Sequence, residues 1–268
     1  MSAINITIPT GWNQLTAKQI LLVCRLHLSK LTQQEYRLKA FLTLTGMKAL
    51  NRPVLGGYYS FSLKGQLLRI HQEEMVWLLK SVDFLLGDCQ LSVNRFPSFR
   101  IGFRRYFGPS NKCYNLTLNE YIHASASVYK YQMTEDLKHI DTLCAILYRT
   151  HGKGSSESDP RERFDDYGYL KNQNRFARLP KHKKLAVMMF FLGCQYELNK
   201  AFPHLLSNST ISSEPLNPVP HLQKMVRLLN TDDITKNRQV LNSPLWEAFA
   251  QLDDRIENIT LKKKNGKV

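Results

Sequence analysis

The stretch from residue 116 to residue 149 constrains the fold more than any other part of this chain. It reads LTLNEYIHASASVYKYQMTEDLKHIDTLCAILYR and divides into two helical segments. Thr117 with Glu120 three residues later forms a capping box, in which each side chain satisfies an amide that the start of a helix leaves unbonded. A second helix is predicted to start at Thr134.

The second of these helices carries an apolar stripe. Leu137, Ile140, Cys144 and Leu147 recur at intervals of three, four and three residues, which places them on one face of a helix. Such a face has to pack against an equally apolar surface. The stretch therefore predicts a buried helical core, but it identifies no chemistry.

The rest of the chain predicts more helices and one small β element. Residues 58–70, YYSFSLKGQLLRI, alternate with period two around a short loop at Lys64 and Gly65, which indicates a β-hairpin. A hairpin is only marginally stable alone, so we expect it to rest on helices, with residues 4–9 added as an edge strand. The predicted fold class is mainly α with a small antiparallel β element (α+β), as a helical main domain plus a C-terminal helical appendage.

A segment rich in Ser and Pro, residues 207–220, has the composition of a linker. It predicts a mainly helical core domain over residues 1–206 and a C-terminal helical appendage with a basic tail over residues 221–268. The last helix of that appendage carries Leu245, Phe249, Leu252 and Ile256 on one stripe. The stripe either packs on the main domain or serves a partner, and we favour packing on the main domain because such a face is seldom left exposed.

The net charge of +15 is concentrated in three stretches that contain no acidic residue. They are residues 91–112, residues 171–184 and the lysine tail that begins at Lys262. Over the remainder of the chain, basic and acidic residues are equal in number. This distribution is typical of a local patch that meets a polyanion or an acidic partner, although three separate solvated surfaces would give the same sequence pattern.

The candidate contact residues are the basic residues of the first two stretches. They are Arg95, Arg100, Arg104, Arg105, Arg175, Arg178, Lys181, Lys183 and Lys184. We expect the two stretches to converge on one face, with Arg100 and Arg104 as the contacts. In residues 91–112, aromatic side chains alternate with the arginines, a pattern that suits stacking on bases. Simple strand alternation, with buried aromatics and solvated arginines, produces the same pattern and is the favoured interpretation.

The search for catalytic, metal and cofactor sites is negative. The sequence holds no G-x-S-x-G elbow, no phosphate-loop spacing and no H-x-x-x-H or Cys/His cluster. Residues 150–168, THGKGSSESDPRERFDDYG, are predicted to form a mobile loop rather than a phosphate site. We therefore expect no enzyme activity, no metal and no cofactor. The absence of a signal segment and of a long apolar run favours a cytoplasmic protein without a membrane span.

Four segments together resemble phage- and prophage-type proteins from tail-assembly neighbourhoods, some of which are described as tail-assembly chaperones. The segments are IPTGWNQLTAKQI, YYSFSLKGQLLRI, LTLNEYIHASASVYKY leading into LCAILYR, and DDITKNRQVLNSPLWEAF. The resemblance implies a non-enzymatic helper or component that binds other virion proteins, and it transfers no site residue to this chain. The leading hypothesis is therefore a protein–protein interaction or assembly protein of a phage or mobile element. The alternative is a nucleic-acid-binding protein that uses residues 91–112 and 171–184.

Two cysteines provide an early test of the predicted core. Cys144 and Cys194 lie in the two most apolar helical patterns, where burial raises the pKa of a thiol and blocks access to reagents. We predict that a thiol reagent labels neither residue rapidly in the native protein, as mass spectrometry of the labelled peptides would measure. Rapid labelling of either cysteine would contradict the predicted core.

Overall fold

The computed structural model describes residues 6–50, 56–206, 217–231 and 233–265. The chain forms two compact units, the first from Met1 to Gln90 and the second from Leu91 to Val268. The sequence predicts a boundary at the Ser/Pro-rich segment of residues 207–220, whereas the boundary between the two units lies between Gln90 and Leu91. The C-terminal helices belong to the second unit. Residues 207–216 of the predicted linker lie outside the described residues, and residues 218–220 already belong to a helix.

Over residues 6–50 and 56–90, the first unit combines three α-helices with a three-stranded antiparallel sheet. Its elements are α1 (Ala17–His27), α2 (Gln33–Thr45), β1 (Lys48–Ala49), β2 (Tyr58–Leu63), β3 (Gln66–His71) and α3 (Gln72–Lys80). Capping boxes at Thr16 and Thr32 start α1 and α2. Gly46 ends α2 with a φ of 72°, a left-handed conformation that glycine adopts without steric cost.

The sheet confirms the predicted hairpin but not the predicted edge strand. Strands β2 and β3 pair from Tyr58 with His71 to Leu63 with Gln66, and Lys64 and Gly65 both have positive φ in the turn between them. The third strand is β1, which pairs with β2. The prediction of a strand at residues 4–9 is wrong for residues 6–9, which form none. Its first two residues lie outside the described part of the chain.

In the part of the second unit that the structure describes, helices predominate and are joined by one two-stranded hairpin. Its elements are β4 (Ser98–Ile101), β5 (Arg104–Phe107), α4 (Leu118–Thr134), α5 (Leu137–Leu147), α6 (Gly168–Phe176), α7 (Lys181–Ala201), α8 (Pro203–Leu206), α9 (Pro218–Asn230), α10 (Asn237–Leu241) and α11 (Leu245–Asn265). Together with the first unit, this confirms the predicted fold class, which is mainly α with small antiparallel β elements. Among the described residues, no helix is both long and apolar enough to cross a bilayer.

Helices α4 and α5 form the predicted pair, with one difference at the start of α5. The capping box of Thr117 and Glu120 is present, but α4 continues through Thr134. Asp136 caps α5 instead, because its carboxylate accepts a hydrogen bond from the Lys138 amide. Ile140 and Cys144 of the predicted stripe are buried.

The C-terminal helices dock on the second unit through backbone and side-chain contacts. The amide of Leu245 donates to the Leu116 carbonyl at 2.8 Å, and the amide of Leu118 donates to the Ser243 carbonyl at 3.1 Å. The indole of Trp246 donates to the Lys112 carbonyl at 3.0 Å. Phe249 is buried against Tyr121, with ring centroids 5.3 Å apart. The apolar stripe of α11 therefore packs on its own chain, which confirms the favoured alternative.

Four of the five cysteines are buried, and they include Cys144 and Cys194, for which burial is predicted. Cys24, Cys113, Cys144 and Cys194 are buried, whereas Cys89 is half-buried. Burial raises the pKa of the Cys24 thiol to about 12 and raises the pKa of Cys144 as well. At neutral pH these two side chains are therefore thiols and not nucleophilic thiolates.

Docking of α11 predicts a large stability cost when its central aromatic ring is removed. Phe249→Ala should lower the free energy of unfolding by about 3–5 kcal/mol, because it leaves a cavity beneath Tyr121. Ile259→Ala on the same helix is the control, since Ile259 is 45% exposed and should cost less than about 1 kcal/mol. Urea denaturation measures both values. Equal costs for the two variants would contradict docking of α11.

Candidate functional site

The candidate site is built on the β4–β5 hairpin, which we call the basic hairpin (residues 98–107). Its strands pair antiparallel, with Phe99 opposite Tyr106 and Arg100 opposite Arg105. Gly102 has a φ of 59° at the first position of the two-residue turn, where a type II′ turn requires glycine. Phe103 occupies the second position and is fully exposed at the tip.

The base of the basic hairpin is anchored to the end of α5. Phe107 and Arg149 exchange backbone hydrogen bonds of 2.7 and 3.0 Å. The hydroxyl of Tyr148 donates to the Phe96 carbonyl at 2.8 Å, and its ring lies against Gly108. A Cβ on Gly108 would lie 2.4 Å from that ring, so only glycine allows the strand to pass this closely. The exposed tip therefore projects from a firmly held base.

Strand alternation distributes the arginines over both faces of the basic hairpin. Arg104 shares a face with Tyr106, whereas Arg100 and Arg105 lie opposite each other on the other face. All three are exposed, as is Arg95 before the hairpin. Arg100 and Arg104, the two predicted contacts, are thus close in sequence but on opposite faces.

Helix α6 brings part of the second basic stretch against the first. Arg175 donates to the Tyr106 hydroxyl at 3.0 Å, and the Phe176 ring packs edge-on against Tyr106 with centroids 5.0 Å apart. The stretches therefore meet at Arg175, on the face that carries Arg104. Beyond it, Arg178 and Lys181 are exposed and Lys183 is half-buried.

Lys184 does not belong to this surface, although the sequence includes it among the candidates. Its ammonium is buried and lies 2.5 Å from a carboxylate oxygen of Asp141 on α5. It also donates to the Ala177 carbonyl at 3.2 Å. A lysine held inside the unit by these groups cannot reach a partner, so Lys184 links α5, α6 and α7 instead.

A buried charge network lies below the basic hairpin, and the sequence does not reveal it. The carboxylate of Glu120 pairs with Arg149, and its second oxygen lies 3.6 Å from Arg161. Arg161 also pairs with Asp159 at 2.7 Å and donates to the Asn115 carbonyl at 2.7 Å. The network therefore joins α4, the end of α5 and the loop of residues 150–168.

The two arginines of this network respond differently to the same environment. Burial lowers the pKa of Arg149 against the opposing pull of Glu120. Burial acts in the same direction on Arg161, but Glu120 and Asp159 outweigh it and leave the pKa of Arg161 above its usual value. The two carboxylates thus stabilise the charged form of Arg161 more than burial destabilises it. Arg161 therefore anchors the loop of residues 150–168, which the sequence predicts to be mobile. Its polar neighbours in the sequence give no indication that it is buried.

A second cluster forms where the same loop meets α4. The Tyr169 hydroxyl lies 3.4 Å from Nδ1 of His123, and a carboxylate oxygen of Asp166 lies 3.8 Å from Nε2. Burial lowers the pKa of His123 and raises the pKa of Tyr169. Both shifts favour the neutral side chains, so the tyrosine is a protonated phenol that packs in parallel on Phe164.

The first unit contains a groove of about 880 Å³ between α2, the sheet and α3. Its walls include Leu38, Phe61, Met75 and Leu79, and the ion pair of Arg37 with Asp83 lies at its rim. Within the described ranges, no group of three or more His, Cys, Asp or Glu side chains could hold a metal ion. The exposed surface of the groove is mostly apolar, although charged side chains such as Glu35 and Lys80 also line it. The lining residues form no arrangement that indicates a reaction.

The chain was compared with protein-family models, curated proteins and solved structures. The chain matches no protein-family model, no curated protein and no solved structure.

The buried network predicts that Arg161 stabilises the second unit through the geometry of its guanidinium and not through charge alone. Arg161→Lys keeps the charge but cannot reach Asp159 and the Asn115 carbonyl together, so we expect a loss of about 3 kcal/mol in the free energy of unfolding. Arg163→Lys is the matched control, because Arg163 is exposed in the same loop and should change stability by less than about 0.5 kcal/mol. Chemical denaturation of both variants measures the difference, and a cost for Arg161→Lys as small as that of the control would refute the anchoring role.

Proposed function

We propose that this chain is a non-enzymatic protein that binds an acidic segment of another protein through its basic hairpin. One observation carries the proposal, namely the full exposure of Phe103 between exposed arginines at the tip of an anchored hairpin. A phenylalanine at such a tip contributes nothing to the core. Burial of its ring by a partner is worth about 1.5–3 kcal/mol, which is enough to make it a binding anchor.

The composition of this surface supports a protein partner. Aromatic and arginine side chains are the residues that most often dominate the energy of protein interfaces. Phe103 supplies the apolar contact, and Arg104 with Arg105 supplies the charge next to it. Because the charges lie at an exposed rim, they act mainly on the association rate and on the choice of an acidic partner.

The resemblance to tail-assembly neighbourhood proteins suggests the biological setting. A helper that binds virion proteins needs an exposed recognition element and no catalytic centre. We therefore propose an assembly or accessory role in a phage or mobile element, exercised in the cytoplasm, with another protein as the partner. The partner in such an assembly can also be a second copy of this chain, which would make the protein an oligomer.

Nucleic-acid binding is the second candidate, and the same observation favours it. An exposed aromatic ring beside arginines can stack on a base while the guanidinium groups neutralise phosphates. The two candidates differ in their response to salt. Binding to an oligonucleotide weakens steeply with salt, in proportion to the number of phosphates neutralised, whereas a contact anchored by Phe103 keeps its apolar contribution.

The test compares two fluorescent probes, a peptide that mixes glutamate with leucine and an oligothymidylate. We expect the peptide to bind more tightly at physiological salt, and Phe103→Ala to weaken it about tenfold, or about 1.4 kcal/mol. Trp77→Ala is the control, because Trp77 is also exposed but lies on α3 in the first unit. Fluorescence anisotropy measures all three proteins.

If the oligothymidylate binds more tightly than the peptide, and its binding weakens steeply with salt, nucleic-acid binding is the function and the proposal fails. If Phe103→Ala and Trp77→Ala weaken peptide binding equally, the basic hairpin is not the binding site.

A further inference from the structure

A small cleft opens beside the basic hairpin, on the face that carries Arg105. It has a volume of about 230 Å³ and lies between β4, β5, the turn that follows them and the loop of residues 150–168. Its polar wall consists of Ser98, Arg105, Ser110, Asn115 and Ser158. The described residues that line it include no carboxylate. We call it the Arg105 cleft.

Arg105 is held in this cleft by two contacts that leave its outer nitrogens available. Its Nε donates to the Ser98 hydroxyl oxygen at 3.0 Å, and its guanidinium carbon lies 5.1 Å from the centre of the Phe107 ring. No acidic group of the described chain forms an ion pair with it. A guanidinium oriented in this way presents two parallel N–H groups, which match the two oxygens of a carboxylate.

Asn115 is oriented so that it also presents a donor. Its side-chain oxygen accepts from the Ser110 amide at 2.7 Å and bonds the Ser110 hydroxyl at 3.0 Å. Its backbone carbonyl accepts from Arg161 at 2.7 Å, which ties its position to the buried charge network. With the side-chain oxygen occupied by Ser110, the NH₂ group is the part of the amide that remains for a ligand.

The acidic residue next to the cleft does not compete for these donors. Asp159 lies between Ser158 and Pro160 in the cleft wall, but both of its oxygens bond Arg161. Arg161 is fully buried, whereas the Asp159 side chain is 26% exposed, but both of its oxygens are already paired with the guanidinium. The cleft therefore combines one cation with neutral donors and has no anion of its own.

We propose that the Arg105 cleft binds a single carboxylate of the acidic partner, from an aspartate or glutamate side chain. The inference rests on the proposed function and identifies the group recognised at that site. One guanidinium neutralises one carboxylate, and the cleft lining supplies no second cation for a doubly charged phosphate monoester. A singly charged phosphodiester is the alternative that the oligothymidylate tests. Arg105 binds the two oxygens side by side, and the Asn115 amide donates to one of them.

The test uses the glutamate-containing peptide and two substitutions that preserve the local structure. Arg105→Lys keeps the charge and removes the paired donors, so we expect about tenfold weaker peptide binding. Arg227→Lys is the matched control, because Arg227 is exposed on α9, lies outside the cleft and is not among the candidate contacts, and should change binding less than about twofold.

The second substitution, Asn115→Asp, keeps the acceptor for Ser110 but replaces the donor with a charged oxygen. We expect it to weaken peptide binding by more than about tenfold, through repulsion of the incoming carboxylate. A substitution that merely disturbs structure would also lower the melting temperature, so thermal denaturation accompanies the binding measurement. Binding to the oligothymidylate is measured in parallel.

Three results would overturn the inference in distinguishable ways. If Arg105→Lys and Arg227→Lys weaken peptide binding equally, the cleft is not the recognition site, while the proposed function stands. If Asn115→Asp binds the peptide as tightly as the unsubstituted protein, the carboxylate does not meet Asn115. If the unsubstituted protein binds only the oligothymidylate, both the inference and the proposed function fail.

Discussion

The contact between Glu120 and Arg149 is the interaction on which the second unit depends. It joins the first turn of α4 to the end of α5 in a buried environment, and Arg161 adds the following loop to the same carboxylate. Removal of one member of a buried ion pair costs about 3–5 kcal/mol, because it leaves an uncompensated charge. Backbone carbonyls satisfy further donors of the Arg149 guanidinium, which donates to the Ile146 carbonyl at 2.6 Å and to the Glu162 carbonyl at 2.8 Å.

This network also explains how the exposed basic surface is held in place. The backbone of Arg149 pairs with Phe107 at the base of the basic hairpin, so the residue that completes the buried ion pair also fixes the hairpin. Arg161 holds Asn115, which lies in the Arg105 cleft. The exposed arginines therefore project from a preorganised base. Preorganisation of this kind lowers the entropy lost when a partner binds.

Local patterns in the sequence predict much of this fold, but contacts between distant residues do not follow from them. Capping boxes at Thr16, Thr32 and Thr117 depend on residues three positions apart, so they can be read directly. Glu120 also has the form of a capping residue, and nothing local shows that it pairs with an arginine 29 positions later. Similarly, Lys184 belongs to a basic run, and only the packing of α5 on α7 reveals its pairing with Asp141. The two basic stretches are expected to converge, but no local rule identifies the contact of Arg175 with Tyr106, since these residues are far apart in the sequence.

The central claim is that the tip of the basic hairpin contacts another protein, and crosslinking at Phe103 tests it most directly. Phe103 is replaced by a photoreactive benzophenone amino acid, which the exposed position accommodates without disturbing the core. Irradiation in the native host should give an adduct that protease removes and nuclease leaves intact. The same analogue at Trp77, which is exposed on α3 of the first unit, should not give this adduct. An adduct at Phe103 that nuclease removes, or none above the Trp77 control, would contradict the account.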